Sequence, residues 1–394
     1  MSATIPAATE QIDYQDLYTR WEKGNWRAME IDFSQDRIDW HERMTPEQRK
    51  GAMWIFTLFF HGEDTVADTL GPYIEAAPLE EQKEFLTTQQ VDETRHAVFF
   101  KRFFEEVVGV GDGTMGGTLK ATTPELTWGH RKTFGHLEEM AQRLKQAPED
   151  RELLAKAVTL YHIMIEGGLA QSGQHILETK LEELDLLPGF RDGMRNVALD
   201  EQRHIAFGVR LLADLYRDDP ERIQDAIVDE FREVLGWSTC VAEIPGWDET
   251  YTTSLNYTLE ELYEEGARMQ EARLRAIGLP LDEIPRFPLP IDLPPRERGL
   301  RGITLMRSGY LGPKHNYKGP DEVSTEILFD QLRRSVDPSA VKRGTTLQWD
   351  PRPAVCVVLA SPERGRVLLP VGGARLVRAR WPAYVGLTRE PDGS

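Results

Sequence analysis

Apolar residues recur at helical spacing from about Thr45 to Ile277, and the alternating pattern of a strand is almost absent there. Thr45-Pro46-Glu47-Gln48 reads as a helix start, with Thr as N-cap, Pro at the first helical position and Gln at N3. The helix it opens runs through Trp54, Phe56, Phe59, Phe60 and Glu63 to about Tyr73. A second begins near Pro78 and carries Glu93 and His96 to Val107, where Gly109, Gly111 and Gly113 end it. Thr122 to Glu125 offers another capping box, opening a helix that reaches about Lys145. A fourth starts near Pro148-Glu149-Asp150 and passes Glu166 and Leu177; a fifth starts after Pro188-Gly189 and ends near Asp218-Asp219-Pro220. Two further helical stretches, Pro220 to about Ala242 and roughly Leu255 to Ile277, complete the run. The pattern predicts an all-α bundle.

After Gly278 the texture changes. Pro280, Pro285, Pro288, Pro290, Pro294 and Pro295 crowd a span that can be neither helical nor strand-rich, and that reads as an extended arm or a linker. Farther on come one helical stretch, Thr325 to Ser335, and strand-like runs at Thr345–Trp349, Ala354–Ala360 and Arg366–Val371. The expected division is a helical domain over 1–290, a Pro/Gly-rich arm over 291–320, and a basic extension over 321–394. That extension is either a small α+β unit or poorly ordered. Its Thr345-Thr346-Leu347-Gln348-Trp349-Asp350 faintly resembles the opening of a sterol-carrier lipid-binding domain, in a segment short of a complete one.

A net charge of -18 over 394 residues argues against a nucleic-acid partner, whose phosphates would be repelled. Cys240 and Cys356 stand far apart with no paired spacing, and read as buried or free thiols in a reducing compartment. No apolar run approaches the roughly 20 residues of a membrane span. Met1 to Glu10 has neither the basic start nor the apolar core of a signal peptide, so a cytoplasmic location is expected.

The chemistry is concentrated in two stretches that repeat each other, Asp92-Glu93-Thr94-Arg95-His96 and Asp200-Glu201-Gln202-Arg203-His204. Each holds Glu-x-x-His in a helical segment, and three residues of helix leave the Glu and His about 60° apart on one face, within reach of one metal ion. Glu63 and Glu166 stand upstream of the two motifs in apolar helical runs. Helices offering Glu, Glu-x-x-His, Glu and Glu-x-x-His are the recipe for a carboxylate-bridged dinuclear site, a pattern known from ferritin-like proteins. Carboxylates and imidazoles suit iron and manganese, and cations would neutralise carboxylates otherwise very costly to bury.

Asp92 and Asp200 each precede a candidate ligand Glu, and each is placed either to accept a hydrogen bond from a ligand His or to stand exposed. Arg95 and Arg203 pair with acidic neighbours or form plain structural ion pairs. His61, His136, His162 and His175 lack the paired geometry and read as polar core or surface residues. Gly167 and Gly168 directly after Glu166 permit a local widening of the helix, a ligand tunnel or close helix packing.

The order Glu63, Glu93-His96, Glu166, Glu201-His204 resembles the radical-generating small subunit of ribonucleotide reductase and its relatives. Two departures stand out: the position usually held by a radical-bearing Tyr is Phe100, beside Phe99, and the first ligand is Glu63 where many such subunits have Asp. The chain is more similar to the ligand-binding oxidases related to that subunit, over roughly residues 10 to 310. In that family a Val three residues after the first Glu becomes joined through its β-carbon to the oxygen of a Tyr five residues before the third Glu. Val66 and Tyr161 occupy both positions here. Val66 shares a helix face with Glu63, whereas Tyr161 lies about 140° around an ideal α-helix from Glu166.

The resemblance implies a ferritin-like core with a mixed manganese/iron cofactor, di-iron being possible, with manganese on the first ligand set and iron on the second. It also implies dioxygen activation with two-electron C–H oxidation, a long-chain fatty acid or other apolar small molecule as ligand, and a homodimer. Three other readings share these residues: a reductase small subunit with a metal-based oxidant, a multicomponent monooxygenase or N-oxygenase, and a non-catalytic metal-dependent lipid-binding protein.

Overall fold

The computed structural model describes residues 5–242 and 249–281, together with strand segments 355–361, 365–371 and 387–389. By internal contacts the chain divides into two compact units, one of Met1–Leu126, Thr133–Phe231 and Thr250–Pro285, the other of Thr127–Lys132, Arg232–Glu249 and Arg286–Ser394. The Pro-rich span beyond Leu281, the expected helix at Thr325–Ser335 and the run Thr345–Trp349 lie outside the described residues.

The described helices follow in order: α1 Ala7–Glu10, α2 Tyr14–Lys23, α3 Ser34–Ile38, α4 Pro46–Ala76, α5 Glu80–Phe103, α6 Met115–Thr122 and α7 Trp128–Gln146. Then come α8 Arg151–Val158, α9 Gln171–Glu183, α10 Pro188–Asp218, α11 Pro220–Ala242, α12 Thr250–Thr253 and α13 Leu259–Ile277. The all-α expectation holds for the first unit. The strands Val355–Ser361 (β1), Gly365–Val371 (β2) and Leu387–Arg389 (β3) form an antiparallel sheet in the order β2-β1-β3.

Local chemistry explains the helix boundaries that matter for the site. The Thr45–Gln48 capping box opens α4, with Gln48 N donating to Thr45 Oγ1 at 3.2 Å and Thr45 N donating to Gln48 Oε1 at 2.9 Å. After α5 a π-helical turn, Phe104–Val108, runs into Gly109 at φ +80°, the left-handed conformation that glycine adopts freely. The capping box expected at Thr122–Glu125 does not form. Thr122 ends α6 with its hydroxyl spent on Thr118 O (3.0 Å), and Thr123–Glu125 is a 3₁₀ turn. Thr127 opens α7 instead, its Oγ1 accepting from His130 N at 3.2 Å.

The expected single helix through Glu166 is continuous but changes its winding. Between α8 and α9 the twelve residues Thr159–Ala170 are π-helical, with bonds closing five residues back. The whole span Arg151–Glu183 is long and apolar enough to cross a membrane by length and composition. However, 83% of its apolar window is buried inside the protein, which marks it as a core helix.

The N-terminal segment through α3 and the π-helical turn Asp39–Arg43 after it carries no long periodicity, yet it caps the start of α10. Buried Asp36 accepts from Gly189 N (2.8 Å) and Phe190 N (2.7 Å), and buried Asp39 accepts from Leu187 N (2.8 Å). These carboxylates satisfy the orphan donors where α10 begins, and their charge suits the positive end of its dipole. Asp36→Ala should cost about 2–4 kcal/mol, read as a lower urea midpoint at constant m value. An unchanged midpoint would rule out the capping role. Burial pushes the Asp36 carboxyl up to about 6 from an ordinary 3.8, so the native state holds its proton more tightly than the unfolded chain. Its contribution is fullest below about pH 4 and is lost as pH rises through about 6. Stability of the wild type relative to Asp36→Asn should therefore fall across that window.

Candidate metal centre

Four helical segments deliver the predicted side chains to one place. Glu63 comes from α4, Glu93 and His96 from α5, Glu166 from the π segment, and Glu201 and His204 from α10. All six are buried, the least so being Glu63 at 6% exposure. They form two overlapping groups, Glu63-Glu93-His96-Glu201 and Glu93-Glu166-Glu201-His204, within each of which a ligand atom from every residue lies within 4.8 Å of the others. Glu93 and Glu201 belong to both. The pairing fits two adjacent cations bridged by carboxylates.

The imidazoles point Nδ1 at the carboxylates. His96 Nδ1 is 3.1 Å from Glu63 Oε2 and 3.5 Å from Glu93 Oε2, and His204 Nδ1 is 3.2 Å from Glu93 Oε1 and 3.4 Å from Glu166 Oε1. Although close to those oxygens, His204 Nδ1 makes no well-directed hydrogen bond, and Glu166 Oε2 and Glu201 Oε2 are also buried without partners. Orphaned donor atoms converging on one point are what a cation would satisfy.

Electrostatics agree. Burial drives the Glu63, Glu166 and Glu201 carboxyls upward. It acts the same way on Glu93, where contacts from His204 and His96 outweigh it and hold the carboxyl well below its usual range. Burial should lower the two imidazoles, but Glu63, Asp200 and Glu93 around His96, and Asp92, Glu166, Glu201 and Glu93 around His204, reverse the effect. Protons on the rings thus offset the carboxylates. A metal would take over that task and release the Nδ1 protons, since a ligand imidazole must be neutral.

Behind the cluster, the two Asp residues work crosswise. His96 Nε2 is 3.1 Å from Asp200 Oδ2, and His204 Nε2 is 3.1 Å from Asp92 Oδ2, so each motif's Asp holds the other motif's His. Arg95 pairs with Asp92 and Asp200, and so does Arg203. Trp21 Nε1 donates to Asp92 Oδ1 at 2.9 Å and Trp26 Nε1 to Asp200 Oδ2 at 2.7 Å. The environment of Asp92 is therefore repeated around Asp200, with a local pseudo-twofold character. The tryptophans had no signal in the sequence, because they stand in an N-terminal stretch without long periodicity.

Tyr161 is also at the cluster, with Oη donating to Glu93 Oε1 at 2.7 Å. The π winding accounts for this: five residues make roughly one turn there, so Tyr161 and Glu166 share a face that an α-helix would have denied them. Gly167 and Gly168 serve both widening and packing. A Cβ on Gly167 would stand 2.9 Å from His162 O, and one on Gly168 would stand 2.2 Å from Gln270 Nε2 of α13. Val66 is buried one turn after Glu63. Of the other histidines, His162 is in the core, His136 Nε2 meets Glu230 Oε1 at 3.0 Å, His61 Nε2 meets Thr122 Oγ1 at 2.9 Å, and His175 is exposed.

The crossed geometry makes a specific expectation. Asp200→Asn should weaken the cation position beside His96, and Asp92→Asn the one beside His204, each by about 10- to 100-fold in a chelator competition. Equal weakening of both positions by either change, or none, would contradict the crossed arrangement.

A family model described as the ribonucleotide reductase small chain matches residues 8–241, more than half of the chain. Among solved structures, the chain is similar to the R2-like ligand-binding oxidase from Sulfolobus acidocaldarius. The two are 26% identical, with 74% of this chain and 99% of that chain covered and a TM-score of 0.57. Two variants of an R2-like ligand-binding oxidase with an anaerobically reconstituted Mn/Fe cofactor share the fold. Each is 24% identical, covers 68% of this chain and 94% of its own, and has a TM-score of 0.57. The chain belongs to the ribonucleotide reductase small-chain family and is similar, within it, to the R2-like ligand-binding oxidases.

Proposed function

We propose that the protein is a dioxygen-activating oxidase working at a dinuclear manganese/iron centre. The observation that supports this reading is the sharing of Glu93 and Glu201 between two buried four-residue groups, an arrangement suited to two cations side by side. Glu63 and His96 would complete the first position, for manganese, and Glu166 and His204 the second, for iron; di-iron suits the same hard donors. When bound, the metals supply electrons and open coordination positions for reducing dioxygen. The protein contributes a dry interior and fixed ligand orientation.

The oxidase reading is favoured over a radical-storing reductase subunit by which aromatic residue carries a hydroxyl. Phe100, one turn beyond His96, is 0% exposed and stacks on Phe59 at 5.9 Å between ring centroids. The phenol at the cluster is Tyr161. Burial raises its pKa well above the ordinary 10.0, with Glu166 and Glu93 adding to the effect, so it stays protonated.

The internal product we propose is an ether between Val66 Cβ and Tyr161 Oη. One C–H and one O–H bond break and one C–O bond forms; the two electrons and two protons released, with two further electrons from the metals and two protons from solvent, would reduce dioxygen to two waters. The proposed small-molecule ligand is a long-chain fatty acid. The resemblance to ligand-binding oxidases supports this.

After aerobic loading with manganese and iron, intact-mass measurement should show loss of a hydrogen pair, and digestion should yield a linked Val66–Tyr161 peptide. Tyr161→Phe should bind metal and give no link. Unlinked peptides from fully loaded wild-type protein would reject this assignment.

A further inference from the structure

One buried polar side chain outside the six-residue set touches both the cluster and Tyr161. Gln89 lies on α5 one turn before Glu93 and is 0% exposed. Its Nε2 donates to Tyr161 Oη at 2.8 Å and to Glu166 Oε1 at 2.9 Å, and its Oε1 lies 3.3 Å from His162 Nε2. An amide can be turned end for end, so its partners must decide which end faces where. With a cation at the cluster Glu166 is an ionised carboxylate and only accepts, which assigns the NH₂ end of Gln89 to it.

His162 decides the other end. Burial pushes this imidazole down to about 3, so the ring is neutral and carries one N–H. Its Nδ1 is buried without a partner. A proton on Nε2 satisfies Gln89 Oε1 and leaves only a lone pair unmatched; the other tautomer would strand a buried N–H and set two lone pairs face to face. The ring is held between Tyr161, at 4.4 Å between centroids, and Phe207, at 5.6 Å. Gly208 gives it room, because a Cβ there would stand 2.2 Å from His162 Cβ.

Tyr161 Oη is then left a single role on each side: it accepts from Gln89 and donates to Glu93. We propose that Gln89, its amide orientation locked by His162, is a positioning residue that holds the Tyr161 hydroxyl in one orientation for C–O bond formation. The chemical purpose rests on the oxidase reading above, while the orientation itself rests on the hydrogen-bond geometry. A shift of about 1 Å at a reacting atom is enough to cost roughly 100-fold in rate.

Two measurements separate these layers. In zinc-loaded protein, which is redox-silent, NMR of ¹³Cζ-tyrosine-labelled samples follows exchange of the Tyr161 hydroxyl proton, assigned by its loss in Tyr161→Phe. Gln89→Leu and His162→Phe should each speed that exchange by about tenfold or more, and His162→Gln, which keeps an N–H donor, should restore slow exchange. In aerobic manganese/iron loading carried to equal metal content, Gln89→Leu should lower the linked-peptide yield per bound metal by about tenfold or more. Wild-type exchange rates in both Gln89→Leu and His162→Phe would overturn the proposal, as would failure of His162→Gln to restore slow exchange. Should Gln89→Leu fail to fold, the two His162 variants decide alone. A wild-type protein that never links would sink the oxidase reading, and the hydroxyl measurement would still decide the positioning role.

Discussion

The constraint on which this structure turns is the burial of four carboxylates around two imidazoles in the middle of a helical bundle. Glu63, Glu93, Glu166 and Glu201 sit at 6% exposure or less, close enough for mutual repulsion to matter. Without cations, burial of so much negative charge would oppose folding, which is why burial pushes the Glu63, Glu166 and Glu201 carboxyls upward and the carboxylates raise both rings. The fold tolerates the arrangement because rigid helices fix the donors and because a layer of salt bridges stands behind them. In that layer Asp92 and Asp200 are each held by both Arg95 and Arg203 and by one tryptophan.

That layer also ties the N-terminal segment to the chemistry. Trp21 and Trp26 reach the two aspartates, while Asp36 and Asp39 cap the helix that brings Glu201 and His204 inward. A stretch with little secondary-structure signal of its own thus caps the start of one ligand helix and supports the hydrogen bonding of both ligand histidines.

Much of the site was legible from the sequence because helix geometry converts spacing into facing. Glu-x-x-His, repeated and flanked by single glutamates, predicts convergence once the segments are helical, and the six residues do converge. The role of Asp92 and Asp200 was legible in kind, though not the crossing by which each serves the other motif's histidine. What spacing could not supply was the approach of Tyr161 to the cluster, since α winding would turn it away from Glu166 and these twelve residues are wound as a π-helix. Gln89 and the two tryptophans were missed for a different reason: each acts through long-range hydrogen bonds that no local pattern encodes. The misplaced capping box near Thr122 shows a third limit, a favourable local motif displaced because its hydroxyl bonds back into the preceding helix.

Anomalous diffraction at the manganese and iron edges on crystals of the loaded protein would locate the metals outright. Two adjacent peaks are expected, one beside Glu63 and His96 and the other beside Glu166 and His204, with Glu93 and Glu201 between them. A cluster without anomalous density after loading, or a single ion bound away from these side chains, would contradict the dinuclear centre.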